Sequence, residues 1–160
     1  MHALVPGTFD PVTNGHLGLI SRAARMFDRL TVGVYEGSDQ PTLFSAAERL
    51  ELMTAALKDH ANVSACLYDG TTVGFARQIG AGVLVRGIRV PTDFDYELSL
   101  AHMNEALDDS IDTICLISSL SDAFISSSLI REVALLGQDV STWVPANVAK
   151  ALADKISNRR

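Results

Sequence analysis

Apolar and polar positions along this chain follow two alternating periods. Short apolar runs rich in β-branched residues fall at positions 2–5, 30–35, 63–67, 82–86 and 112–117. Runs of that length, bounded by turn residues, predict strands. Between them, apolar residues recur at three- and four-residue spacing, which predicts helices. Leu17, Ile20, Ala24 and Phe27 mark one over 17–27, and Leu50, Met53 and Leu57 mark the apolar face of another. The second is opened by Ser45-Ala-Ala-Glu48, the spacing at which a serine and a glutamate satisfy each other's backbone N–H groups. A short helix over 73–79 and a longer one over 94–107 follow. A further helix begins near Ser127 and stops at Gly137, a residue suited to a left-handed cap. Pro145 suits the first turn of a last helix, whose Val148, Leu152 and Ile156 form a stripe at four-residue spacing.

Five strands alternating with helices in 160 residues predict one α/β domain over 1–160, a doubly wound parallel sheet with flanking helices. The run Gly82-Val-Leu-Val-Arg86 is continuously apolar up to its last residue, as expected of a strand covered on both faces. Ligands of such sheets bind beyond the carboxyl ends of the strands, where strand order reverses. The loops after strands one, four and five therefore hold the candidate chemistry.

Composition narrows the function. An apolar fraction of 48% with 20% charged residues is that of a protein with an ordinary core and excludes disorder or a fibrous repeat. No apolar run approaches the roughly 18 residues a membrane span requires, and no basic-then-apolar leader opens the chain. Nineteen acids against thirteen bases give a net charge of −6, and ten of the bases are arginines. Without a basic run the chain is a poor nucleic-acid binder, so any polyanion must be held at a local arginine cluster. Cys66 and Cys115 lie in apolar surroundings without metal-ligand spacing, which predicts buried thiols in a reducing cytoplasm.

Three loops carry the candidate residues. After strand one comes Pro6-Gly7-Thr8-Phe9-Asp10-Pro11-Val12-Thr13-Asn14-Gly15-His16. Its glycines permit close backbone approach, and its helix start offers free N–H groups to an anion, with His16 in the first turn. It matches neither a Walker loop nor a dinucleotide fingerprint; by itself His16 is equally well a solvent-facing helix-start histidine. After strand five, Ser126, Ser127 and Ser128 open a helix with Arg131 one turn on, a cradle for one anion or simply an N-cap. After strand four, Arg86 and Arg89 leave a buried strand, to meet an anion or to pair with Asp93, Asp95 or Glu97.

Gly-Thr-Phe-Asp-Pro-Val-Thr-Asn-Gly-His resembles the first signature of nucleotidyltransferases with an HxGH motif, with Thr13 in place of the first histidine. Ile125-Ser-Ser-Ser-Leu-Ile-Arg131 resembles their second. The stretch from Arg86 to Asn104 is similar to the bacterial phosphopantetheine adenylyltransferases in particular, and the likeness runs from about residue 2 to 155. The resemblance implies a Rossmann-like fold, cytoplasmic location and a homohexamer. It implies transfer of AMP from ATP to 4′-phosphopantetheine, with magnesium accompanying ATP, to give dephospho-coenzyme A and pyrophosphate in coenzyme A biosynthesis. ATP would meet Thr8, Phe9, His16, Gly87, Ile88, Arg89, Glu97 and the turn Asp122, Ala123, Phe124, Ile125, Ser126, Ser127, Ser128. The acceptor would meet Thr8, Gln40, Thr72 and Arg86. His16 and Arg89 would be catalytic, and no side chain is assigned as a metal ligand.

The chain departs from the family at the acceptor side. Gln40 stands where the family carries a lysine, and no lysine occurs before Lys58. Thr71 and Thr72 stand where the family usually has two apolar residues, followed by Gly74 where an Asn or Asp is usual, and Asp122 takes a position usually aromatic. These differences leave two alternatives: an adenylyltransferase for another phosphorylated acceptor, or a nucleotide-binding regulatory protein with little turnover.

Overall fold

The computed structural model describes residues 1–37 and 41–157. Its elements run β1 (His2–Gly7), α1 (Asn14–Ala24), β2 (Arg29–Tyr35), α2 (Ala46–Ala56), β3 (Val63–Tyr68), α3 (Thr72–Ile79), β4 (Val83–Ile88), α4 (Pro91–Leu107), β5 (Asp112–Ile117), α5 (Ser127–Leu135) and α6 (Ala146–Ser157). All pairings are parallel and the strand order is β3-β2-β1-β4-β5. Order reverses between β1 and β4, so the crevice lies beyond the carboxyl ends of those two strands.

Alternate residues of the central strands feed two cores. Ala3, Val5, Val83 and Val85 point to one side, where Ile20 and Ala23 of α1, Met53 of α2, Ile130 of α5 and Val148 and Leu152 of α6 cover them. Leu4 and Leu84 point to the other and pack with Val73, Phe75 and Ala76 of α3. Two covered faces account for the continuous apolar runs of β1, β2 and β4.

Several boundaries and faces differ from expectation for identifiable reasons. Helix α1 starts at Asn14 because Thr13 caps it. In α2 the innermost polar residue is Arg49, 2% exposed, while Leu50 is only half-buried. Pro91 begins α4, three residues before the first apolar residue of the pattern. The turn after α5 puts Gly137 at φ +85°, with its N–H donating to the Ala134 carbonyl, a conformation glycine adopts without a Cβ penalty. His60 lies in the turn beyond α2, with Nε2 2.8 Å from the Ser21 hydroxyl.

The expectation of two buried cysteines is also corrected. Cys115 is exposed and Cys66 is half-buried. Strand β5 is an edge of the sheet and its apolar residues are incompletely covered, which a local apolar run does not reveal.

Candidate active site

The ends of β1 and β4 and the starts of α1, α4 and α5 surround one cavity of about 750 Å³. Of the residues singled out in the sequence, Thr8, Phe9, His16, Arg86, Gly87, Arg89, Glu97, Asp122, Ile125, Ser126, Ser127 and Ser128 line it. Ile88, Thr72, Ala123 and Phe124 lie outside that lining. Gln40 lies outside the described residues.

The first turn of α1 fixes the imidazole of His16. Thr13 Oγ1 accepts from the His16 amide, and the Thr13 amide donates to His16 Nδ1 at 3.0 Å. A ring whose Nδ1 accepts carries its proton on Nε2. The Phe9 ring meets the imidazole edge-on, with centroids 5.0 Å apart. Desolvation, and secondarily the Arg89 guanidinium, lower the His16 pKa from 6.5 to about 4. At neutral pH His16 is thus a neutral Nε2–H donor held in one orientation.

Phe9 itself has φ +51°, an uncommon conformation for an aromatic residue that stores strain in the loop. Two features hold it. A Cβ on Gly7 would come within 2.8 Å of the Phe9 ring, so only glycine leaves room for the ring there. Buried Arg49 also clamps the loop, donating from Nη1 to the carbonyls of Thr8 at 2.6 Å and Tyr35 at 2.7 Å, and from Nε to that of Phe44 at 3.3 Å. Burial lowers its pKa, against the raising influence of Asp10 and Glu36.

Arg86, near the carboxyl end of β4, and Arg89, just beyond it, are both pre-positioned by carboxylates. Arg86 donates to Glu97 through Nε at 2.7 Å and Nη2 at 2.8 Å, and to the Pro6 carbonyl through Nη1 at 3.1 Å. Burial acts against its charge, but the Glu97 carboxylate, itself 6% exposed, overrides this and raises the Arg86 pKa. Arg89 pairs with Asp93 at 3.3 Å and donates to the Ile125 carbonyl at 3.2 Å, linking β4 to the approach to α5. Burial of Asp93 opposes its ionisation, yet the backbone N–H of Arg89 and the Arg89 charge hold its carboxyl below the usual range. Of the two readings the sequence left open, the structure shows the pairing, Arg86 with Glu97 and Arg89 with Asp93, and the paired guanidiniums line the cavity.

The three serines divide their labour. Ser126 Oγ caps α5 by accepting from the Leu129 amide at 3.2 Å, and Ser127 Oγ donates to the Pro11 carbonyl at 2.7 Å. Of the first-turn amides of α5, that of Leu129 is taken by the Ser126 hydroxyl, and the others have no partner within the helix, an arrangement able to receive an anion.

Sequence reasoning passed over Asp10 and Arg49, which build the loop from behind. The available signal was an arginine in line with Met53 on the inner stripe of α2. The substitutions at Thr71 and Gly74 also find a local reason. Thr71 caps α3, its hydroxyl accepting from the Gly74 amide at 3.2 Å, and a Cβ at Gly74 would approach that hydroxyl to 2.8 Å. Thr72 places its hydroxyl 3.3 Å from that of Tyr68.

Comparison with known proteins agrees with this geometry. Residues 4–133 match the cytidylyltransferase-like family model. The chain is 49% identical over 156 residues to a phosphopantetheine adenylyltransferase of Thermomicrobium roseum, covering 96% of this chain and 93% of the relative. It is 42% identical over 157 residues to one of Lachnoclostridium phytofermentans, covering 98% and 96%. In fold it is similar to a crystal structure from Vibrio parahaemolyticus assigned as a nicotinate-nucleotide adenylyltransferase, with TM-score 0.71 and 19% identity over 98% of this chain and 91% of that one.

Proposed function

This chain belongs to the phosphopantetheine adenylyltransferases of the cytidylyltransferase-like family, and we propose that its cavity aligns ATP with 4′-phosphopantetheine for direct transfer of AMP. The observation carrying this reading is that His16, Arg89 and the α5 N-terminus, widely separated in sequence, line the same cavity as Arg86.

An oxygen of the acceptor phosphate attacks the α-phosphorus of ATP. The bond from that phosphorus to the bridging oxygen breaks, and pyrophosphate leaves with the electron pair. No protein nucleophile is required, so catalysis consists of positioning and of stabilising charge on the equatorial and departing oxygens. His16 supplies a neutral Nε2–H donor, Arg89 a fixed cation, and the first turns of α1 and α5 backbone N–H groups and positive dipole ends. Arg86, oriented by Glu97, supplies a guanidinium edge for the acceptor phosphate.

Magnesium would accompany ATP and offset charge on its phosphates. Among the described residues no cluster of three or more His, Cys, Asp or Glu could hold a metal. The donor set fits an ion carried mainly by phosphate oxygens and water, with Asp122 as the cavity carboxylate not committed to an arginine.

A homohexamer in the cytoplasm completes the reading. Helix α4 exposes Phe94, Leu98, Met103 and Leu107, and the β5 edge exposes Ile117 with Leu120 just beyond it. Exposed apolar side chains such as Phe94 and Leu98, one turn apart on α4, favour burial against another copy. Among the described residues no helix is long and apolar enough to cross a membrane.

Pyrophosphate release on mixing the protein with ATP and 4′-phosphopantetheine tests the reaction. Turnover at ordinary enzymatic rates supports it. Release only with another phosphorylated acceptor, or ATP binding with no release, would replace it with one of the two alternatives.

A further inference from the structure

Separate elements contribute the cavity's walls, and one buried carboxylate joins two of them. Asp10 is 1% exposed and does not line the cavity. Its Oδ1 accepts from the Phe44 amide at 2.9 Å and its Oδ2 from the Leu43 amide at 2.8 Å. Arg131 Nη1 donates to that same Oδ2 at 3.0 Å and also to the Asp10 carbonyl. Leu43 and Phe44 directly follow Pro41 and Thr42, which line the cavity, and Arg131 lines it from α5 beside Ser126, Ser127 and Ser128. Thus a single side chain behind the first loop ties the 41–44 segment to the α5 turn.

A carboxylate at this depth is tolerated only when its charge and lone pairs are met, and here a guanidinium and two amides meet them. Arg131 is held at one end by Asp10 while the side chain retains 26% exposure toward the cavity. Joining two phosphates requires both walls to keep a fixed separation, since a displacement of about 1 Å between reacting groups costs on the order of a hundredfold in rate.

Building on the adenylyltransferase reading, we propose that Asp10 and Arg131 form a strut that sets the distance between the α5 turn and the wall formed by Pro41 and Thr42. Both are positioning residues. The pair acts as a unit, because Arg131 without Asp10 loses its anchor and Asp10 without Arg131 loses the cation that bonds to it directly, keeping only the influence of Arg49.

The test is a double-mutant cycle of Asp10→Asn, Arg131→Met and the combination, read by calorimetric ATP affinity, by KM and kcat for each substrate, and by melting temperature. Asparagine keeps one acceptor oxygen but turns an NH₂ toward groups that themselves donate. Each single variant is expected to weaken ATP affinity and raise both KM values by about tenfold or more, the scale of a lost charge-assisted bond. The double variant is expected to be no worse than the weaker single one. Arg131→Lys, which keeps the charge without the planar fork, should recover part of the loss. Losses that multiply in the double variant, or a lowered melting temperature with ATP affinity and both KM values unchanged, would overturn the strut. If Asp10→Asn fails to fold, Asp10→Glu takes its place in the cycle. Absence of turnover by the unaltered protein would instead overturn the reaction, and ATP affinity would still decide the strut.

Discussion

At the residue scale, His16 concentrates the catalytic argument. Its Nδ1 is occupied by the Thr13 amide, so its contribution is one well-aimed Nε2–H bond. Replacing it with alanine should leave ATP affinity nearly unchanged and lower kcat by about 10²–10³, as with the loss of an oxyanion donor; steady-state kinetics and calorimetry together check this. The depressed pKa adds a pH signature. Below pH 6.5 the unfolded chain takes up a proton at this position that the native protein refuses until about pH 4. The stability conferred by a neutral His16 is therefore complete above pH 6.5 and is lost as pH falls toward 4, by up to about 3 kcal/mol. In the ligand-free protein an NMR titration should place the imidazole near 4. Denaturant melts of His16→Asn should show a shallower stability loss over the same window.

At the element scale, the site depends on how helix starts are capped and clamped. Thr13→Ala removes the α1 cap and should cost about 1 kcal/mol of stability. The same change should reduce turnover less than loss of His16, because the Thr13 amide still holds Nδ1. Arg49→Met has a wider reach. It strips a buried cation from three carbonyls on the first loop, β2 and the approach to α2. Chemical denaturation should show a loss of about 3 kcal/mol or more, accompanied by weaker ATP binding as Phe9 is released from its strained conformation. The elements were readable from apolar period and capping signals because those are local. The inner face of α2 was not, since an arginine there reads as solvated until its carbonyl partners are seen. Likewise, Ser126–Ser128 announced a helix start and an anion site, but not that two of the three hydroxyls serve the cap and the loop.

At the scale of the whole molecule, the strand order places β1 beside β4 and brings three loops to one rim. The same topology leaves α4 and the β5 edge incompletely covered. Phe94→Glu together with Leu98→Glu should leave the monomer fold intact and convert the assembly to smaller species in sedimentation velocity. An unchanged sedimentation coefficient would show that this face is not the subunit contact. Exposure of Cys115 belongs to the same topology, because among the described residues β5 is the last strand of the sheet.

The chain's pattern by itself determined the alternation of strands and helices, the doubly wound class and the three loops worth searching, because period, caps and glycine positions are properties of neighbouring residues. The signature segments carried the resemblance to a reaction for the same reason. Tertiary structure alone decided that Arg86 and Arg89 are held by Glu97 and Asp93, that His16 is neutral with its proton on Nε2, and that Asp10 spans two walls. The Arg89–Asp93 pair and the Thr13–His16 contact are local, but their burial at the cavity, and the Asp10–Arg131 pair 121 residues apart in sequence, are set only when the sheet closes.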